Sequence, residues 1–198
     1  AFIKPYKDFI HPLTGRIHAT YRQLNRNGVG RFSAADPNIQ QWPREPRFRR
    51  LFRAGEGRVL IIADYSAIEM RIMAWLSKDP TLMEVFQKGI DPHRHTASLV
   101  LRKPPEEVTK EDRQLAKAVN FGLIYGMSAE KFQSYAKWSY GVDLTLQEAE
   151  EFRRRYFGAY QGVSRWHEHQ NRRAREALEV RTASGRARRW VAPTMPPT

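Results

Sequence analysis

Apolar and polar positions alternate along this chain with changing periods, and the changes mark its elements. Val59-Leu60-Ile61-Ile62-Ala63 is an unbroken apolar run rich in β-branched side chains, the pattern of a strand buried on both faces. Asp64 ends it. Ser66-Ala67-Ile68-Glu69 has the Ser-x-x-Glu form of a helix capping box, and Ile68, Ile72, Ala74, Trp75 and Leu76 follow with helical recurrence. Asp79-Pro80 and Asp91-Pro92 each place a capping carboxylate before a proline at the first helical position. Thr109-Lys110-Glu111-Asp112 and Thr145-Leu146-Gln147-Glu148 predict two further helix starts, and the chain reads as helical from Ser128. Val180 to Trp190, with a turn at Ser184-Gly185, predicts a basic hairpin.

Residues 1–46 lack such regularity. A turn at Thr14-Gly15 leads into a short alternating strand ending near Tyr21, and 27–43 carries glycines, prolines, amides and hydroxyls with little apolar period. Long irregular stretches in compact domains are commonly functional or disordered. Here Asn38, Gln40 and Gln41 have the groups to reach base edges or sugars, and Arg31 can hold a phosphate; a solvated surface loop explains the same residues. Arg47, Arg49, Arg50 and Arg53 interleave with Phe48, Leu51 and Phe52, an almost single-signed run suited to a phosphate track.

The helix after Thr109 holds the strongest chemical pattern. Arg113, Lys117, Phe121 and Tyr125 recur every four residues as one drifting stripe, two cations followed by two aromatics. At ~1.5 Å rise per residue it is roughly 18 Å long, enough to lie along a nucleoside triphosphate. Leu115, Val119, Leu123 and Ile124 supply the buried side, and Gly122 and Gly126 leave gaps for close approach of a base or backbone. A structural account would make the rings core and the cations surface charge, without explaining the shared stripe. His93 and His95, two apart on a helix, diverge and make a poor metal pair; one of them, beside a helix N-terminus with Arg94 nearby, suits an anion better. His167 and His169 diverge in the same way. Asp64 and Glu69 have a plain reading too, as a turn residue and a cap.

Composition narrows the field. The chain has 198 residues, a net charge of +13, 41% hydrophobic residues and no cysteine. The charge predicts a polyanionic partner, nucleic acid before an acidic membrane surface. The missing cysteines exclude disulfides and thiolate metal sites, so any metal must sit on oxygen or imidazole. No apolar run approaches the ~18 residues of a membrane span, and no signal-peptide core precedes residue 20, which leaves a soluble, non-exported protein as the expectation. The absence of an initiating Met is what an excised piece would show.

Asp64-Tyr65-Ser66-x-Ile68-Glu69-x-Arg71 resembles motif A, and Arg113-x3-Lys117-x3-Phe121-Gly122-x2-Tyr125-Gly126 resembles motif B, of the family A DNA polymerases of the bacterial DNA polymerase I type. Similarity extends to Thr14-Gly15-Arg16-Ile17-His18, to Gly30-Arg31-Phe32-Ser33 with Asp36-Pro37-Asn38-Ile39-Gln40, to Asp91-x-His93 and to Ser184-Gly185-Arg186. The resemblance covers nearly the whole chain in the family's order. It implies an α+β fold, a right-hand polymerase palm with an antiparallel sheet and α-helical fingers, incomplete here. The implied division is palm with motif A over 1–77, fingers with motif B over 78–178, and a basic hairpin and tail over 179–198.

The resemblance also implies roles. Asp64, with the Tyr65 carbonyl, would bind two Mg²⁺ ions; Arg113, Lys117 and His93 would hold the triphosphate of a dNTP, with Lys117 also an acid toward pyrophosphate. Phe121 would pack on the nucleotide sugar, Tyr125 would guard the insertion site, and Glu69 would exclude a sugar 2′-hydroxyl. Arg31, Asn38 and Gln40 would touch primer-template DNA in the minor groove. The implied activity is template-directed DNA synthesis in replication and repair, with the alternative of a non-catalytic basic nucleic-acid-binding module on the same scaffold. The family's motif C carboxylate and thumb are expected in the complete protein, and this stretch alone is expected to be inactive. Departures from the family pattern are Ala67 for glutamine, Trp42 for isoleucine, Pro92 after Asp91, and Asn27-Gly28-Val29 before Gly30-Arg31.

Overall fold

The structure, a computed structural model, describes residues 4–23, 30–43, 45–177 and 179–189; Asn27-Gly28-Val29 and Trp190 lie outside them. The chain divides into two compact units, Ala1–Ala63 and Asp64–Thr198. That is a division by packing, distinct from the division by role at 77 and 178.

In the first unit a 3-10 helix, Lys4–Phe9, leads to an antiparallel bridge between Ile10 and Ile17. The turn between them runs through Gly15 at φ 63. Strand β1 (Thr20–Arg22) pairs antiparallel with β2 (Ser33–Ala35), Thr20 opposite Ala35. The irregular stretch therefore contains regular pieces, β2 and a 3-10 turn at Ile39–Gln41. Helix α1 (Pro46–Arg49) begins the arginine run. Trp42 anchors it: the indole N–H donates to the Phe48 carbonyl at 3.0 Å, and the ring meets Tyr6 and Phe52 edge-on at 4.8 and 5.4 Å. Arg47, Arg49, Arg50 and Arg53 are exposed, as the interleaving predicts.

The buried strand expected at Val59–Ala63 is absent. The segment has no ladder partner among the described residues, and Ile61 and Ile62 are 88% and 91% exposed. Strand pairing needs a neighbouring edge for its N–H and C=O groups, and the described residues supply none. The apolar run still marks a segment that a sheet would bury.

The second unit is helical: α2 (Ile68–Ser77), α3 (Pro80–Gln87), α4 (Pro92–Leu101), α5 (Lys110–Leu123), α6 (Ala129–Tyr140), α7 (Leu146–Ala159) and α8 (Gln161–Ala177). Four of the starts follow the sequence signals. Asp79 and Asp91 cap α3 and α4 ahead of Pro80 and Pro92, and Thr109 with Asp112 and Thr145 with Glu148 form complete capping boxes. The Ser66–Glu69 box does not form. Ala67 takes the N-cap in the left-handed region, φ 49, without a side-chain cap bond, so the helix begins one residue too late for Ser66 to be its cap.

The core runs through all seven helices, with Met70, Met73, Leu82, Val100, Val119, Leu123, Phe132, Ala149, Tyr156 and Val163 buried. Helix α2 turns Met70, Met73 and Ala74 inward, leaving Ile68, Ile72 and Trp75 41%, 48% and 52% exposed. In α5, Val119 and Leu123, with Ile124 just past its end, are buried as predicted, Leu115 is half-buried, and Ala116, Ala118, Asn120 and Gly122 are buried with them. The second half of α5 is thus enclosed by α4, α6 and α7. The gap at Gly122 is filled from within: a Cβ there would lie 2.8 Å from the Phe132 ring. At Gly126 it would lie 3.3 Å from His167. The Gly122 gap is an intramolecular packing site, contrary to the expectation that a base or backbone enters it, while Gly126 is exposed. Strands β3 (Glu179–Arg181) and β4 (Ala187–Arg189) form the predicted hairpin, Gly185 at φ 85 in its turn.

Candidate functional site

A pocket of about 340 Å³ opens in the helical unit between the Ser66-Ala67 turn, Arg71, the end of α3 from Phe86 to Ile90, the start of α4, and Arg113 and Lys117 of α5. Each wall has a local cause. The Asp91 carboxylate accepts from the His93 and Arg94 backbone N–H groups at 2.8 and 3.2 Å, which starts α4 where Pro92 permits. Its other oxygen accepts from Arg113 Nε at 2.8 Å, locking α5 to α4 and leaving the terminal guanidinium nitrogens for other acceptors. Burial pushes the Asp91 carboxyl up, but the Arg113 bond and the two N–H groups outweigh it and hold the group below its ordinary range.

Arg71 Nε donates to the Ser66 carbonyl at 3.0 Å, and its guanidinium lies over the Phe86 ring at 4.5 Å. Lys117 lines the pocket without an ion-pair partner among the described residues. The pocket therefore holds three cations, Arg71, Arg113 and Lys117, against the single carboxylate of Asp91, a surplus suited to a multiply charged anion. His93 is the uncharged member. It is 7% exposed, and burial brings its pKa down to about 4, with Asp91 raising it and Arg113 and Lys117 lowering it further. It can offer a phosphate oxygen an N–H without a positive charge. Arg94 takes no part, since it donates to the Pro105 carbonyl at 2.9 Å, and the helix N–H groups are already capped. The groups that line the pocket include side chains of α5 with His93, and Arg94 is not among them.

The stripe of four divides. Phe121 stays beside His93, ring centroids 5.6 Å apart, but α5 ends at Leu123, and Tyr125, 60% exposed, lines a second pocket of about 460 Å³. There it joins Glu69, Ile72 and Leu76 of α2 and Trp166, His167, Gln170 and Asn171 of α8. His167 donates from Nε2 to the Ile124 carbonyl at 3.0 Å, fixing the turn that carries Tyr125. Glu69 lines the same pocket as Tyr125.

In the first unit the amides have structural work. Gln40 accepts from Ala34 N–H at 3.1 Å and donates to the Phe32 carbonyl at 3.0 Å, tying β2 to the following 3-10 turn, and Asn38 caps that turn through Gln40 N–H at 3.1 Å. Each amide retains unused hydrogen-bonding capacity. Arg31 is exposed.

Asp64 and Tyr65 are exposed. A carboxylate and a backbone carbonyl are the hard oxygen donors that Mg²⁺ takes, commonly completed by water and substrate phosphates. They fit such an ion as a partial donor set, because among the described residues no three His, Asp or Glu side chains gather to hold a metal.

Sequence reasoning missed Asp91 as the brace of Arg113, Arg71 as a third cation, and the buried polar pair Thr96 and Asn120. The last had a legible signal, since Asn120 falls on the apolar side of α5 between Ala116 and Leu123, where a polar residue needs a buried partner.

Helices carrying motif-A and motif-B residues around a basic pocket, with short antiparallel strands, define a polymerase-domain fold. A solved structure described as the POL domain of Pol1 from M. smegmatis in complex with DNA primer-template and dNTP superposes with a TM-score of 0.80 at 35% identity, over 95% of this chain and 33% of that one. The sequence profile of DNA polymerase family A matches residues 1–193, and the chain belongs to that family. Curated relatives include DNA polymerase I of Aquifex aeolicus, 45% identical over 93% of this chain, and the thermostable DNA polymerase I of Thermus aquaticus, 42% identical over 96%. The chain spans 32% and 22% of their respective lengths.

Proposed function

We propose that this chain is the palm-and-fingers portion of a DNA-directed DNA polymerase, transferring a deoxynucleoside monophosphate from a dNTP to a primer 3′ end. The observation that carries the reading is the pocket in which Arg113, Lys117 and neutral His93 converge beside Arg71. In it the Arg113 terminal nitrogens and the Lys117 ammonium bind the triphosphate, and Lys117 is placed to give a proton to departing pyrophosphate. Phe121, against His93, packs on the sugar. Glu69 and Tyr125, which share the second pocket, act at the insertion site, Glu69 excluding a 2′-hydroxyl. Arg31, Asn38 and Gln40 meet the primer-template, and residues 1–77, 78–178 and 179–198 serve as palm, fingers and basic hairpin. Asp64 and the Tyr65 carbonyl would hold Mg²⁺, which when bound supplies charge stabilisation for both the attacking and the leaving oxygen. Segments beyond this chain, the motif C palm and thumb of the family, complete the site in this reading.

The test grafts the chain in place of its matched segment in a full-length relative. Asp64→Ala should abolish primer extension while leaving primer-template binding nearly intact, and Lys117→Ala should weaken dNTP binding and slow incorporation together. Glu69→Ala should raise ribonucleotide use. Extension that survives Asp64→Ala would overturn the catalytic role given to Asp64, whereas a graft that binds primer-template but extends nothing would favour the non-catalytic binding module.

A further inference from the structure

Behind His93 lies a continuous buried hydrogen-bond chain. Asn120, fully buried, donates from Nδ2 to His93 Nδ1 at 3.0 Å and accepts at Oδ1 from the Thr96 hydroxyl at 3.0 Å. Thr96, also fully buried, lies 2.8 Å from the Tyr160 hydroxyl, which lies 3.1 Å from His95 Nδ1. With the Asn120 amide in this orientation, proton counting fixes the rest. The one hydroxyl hydrogen of Thr96 goes to Asn120, so Thr96 must accept from Tyr160, and Tyr160 must accept from a protonated His95 Nδ1. His93, accepting at Nδ1, carries its proton on Nε2. That nitrogen has no partner among the described residues, and Tyr156 Oη is the polar side-chain atom sealed from solvent without one. The Nε2–H is therefore open to the pocket that His93 lines.

We propose that Thr96 and Asn120 are positioning residues that hold His93 in the Nε2–H tautomer, aiming a neutral donor at the phosphates beside Arg113 and Lys117. The role in phosphate binding rests on the function proposed above; the tautomers do not. Around His93 the charged groups are Asp91, Arg113 and Lys117, and Phe121 packs on its ring. An uncharged imidazole among these cations needs its proton placed from behind, because turning the amide of Asn120 over would move that proton to Nδ1 and present a lone pair to the anion. The same arrangement gives His95 the opposite tautomer, Nδ1–H, so the two histidines report on one another.

Long-range ¹H–¹⁵N correlation of the histidine side chains in the whole chain at pH 7.5, assigned with His93→Gln and His95→Gln, reads both tautomers directly. The wild type should show Nε2–H for His93 and Nδ1–H for His95, and dATP with Mg²⁺ should move the His93 Nε2 resonance. Thr96→Val, near-isosteric, should convert His93 to a mixture of tautomers and weaken dATP binding by about three- to tenfold, the loss of part of a bond to a charged group. Thr96→Ser, which keeps the hydroxyl, should restore both. His93 found as Nδ1–H in the wild type, or unchanged by Thr96→Val, overturns the positioning role. A wild-type His93 resonance indifferent to dATP would instead defeat the reading of the pocket, and the tautomer comparison would still decide the internal arrangement.

Discussion

Asp79 joins two helix starts that lie far apart in sequence, and its replacement should cost more than any surface carboxylate of this chain. It is 1% exposed; Oδ1 accepts from Leu82 N–H at 2.9 Å, capping α3, and Oδ2 accepts from Gly162 N–H at 2.7 Å at the start of α8. Asp79→Ala removes the cap, worth about 1 kcal/mol, and strands the buried Gly162 N–H, worth a further ~1–3 kcal/mol. The expected loss is therefore about 2–4 kcal/mol. Asp79→Asn can satisfy only one of the two N–H groups, because its second terminal atom is itself a donor, and should fall in between. Gly162→Ala attacks the junction from the other side, since a Cβ would lie 2.7 Å from Asp79 Cα. Backbone cannot turn aside as a side-chain end can, so the helices must separate, at a cost of about 1–3 kcal/mol. Urea unfolding followed by circular dichroism at the helix band measures all three. An Asp79→Ala midpoint equivalent to less than ~0.5 kcal/mol, the usual scatter of surface substitutions, would refute the two-helix tether.

Two further outcomes follow from buried groups. Tyr156 is fully buried and its hydroxyl has no partner among the described residues; burial pushes its pKa upward, with Tyr160 and Asp79 adding to the effect. Tyr156→Phe should stabilise the chain by about 1 kcal/mol in the same urea assay, and a loss of that size would mean the hydroxyl has a partner. Stability should also fall on acidification. The His93 pKa is depressed from 6.5 to about 4 by burial, so the unfolded chain takes up a proton below pH 6.5 that the folded chain refuses. The stabilisation is complete above pH 6.5 and declines as pH falls toward 4, by about 2 kcal/mol at pH 5 for this group. His95 and His167, lowered in the same direction mainly by burial, steepen the decline, and a flat urea midpoint between pH 7.5 and 5 would contradict it.

Local chemistry explains which features were readable in advance. The starts of α3, α4, α5 and α7 were legible because a cap, its proline or its reciprocal acid lie within four residues of one another. The hairpin was legible because Ser184-Gly185 needs only its flanking strands. The Ser66–Glu69 box, with equally good letters, failed because Ala67 entered the left-handed region at φ 49 and moved the helix start. The Arg113 and Lys117 pairing at the pocket came from helical period alone. Their brace, Asp91, came from a second helix, and no spacing rule connects residues 91 and 113.

The sequence by itself determined the helix order, the capping residues, the basic character and the motif positions, since each depends on neighbours within a turn or two or on summed charge. Tertiary structure decided which of those residues meet. It sent Tyr125 to a different pocket from Lys117, filled the gap at Gly122 from within, gave Gln40 an internal partner at each end of its amide, and linked His93 to His95 through three buried side chains. Burial and long-range hydrogen bonds set the state of those groups, and both are properties of helices packed together, which no single helix carries in its own letters.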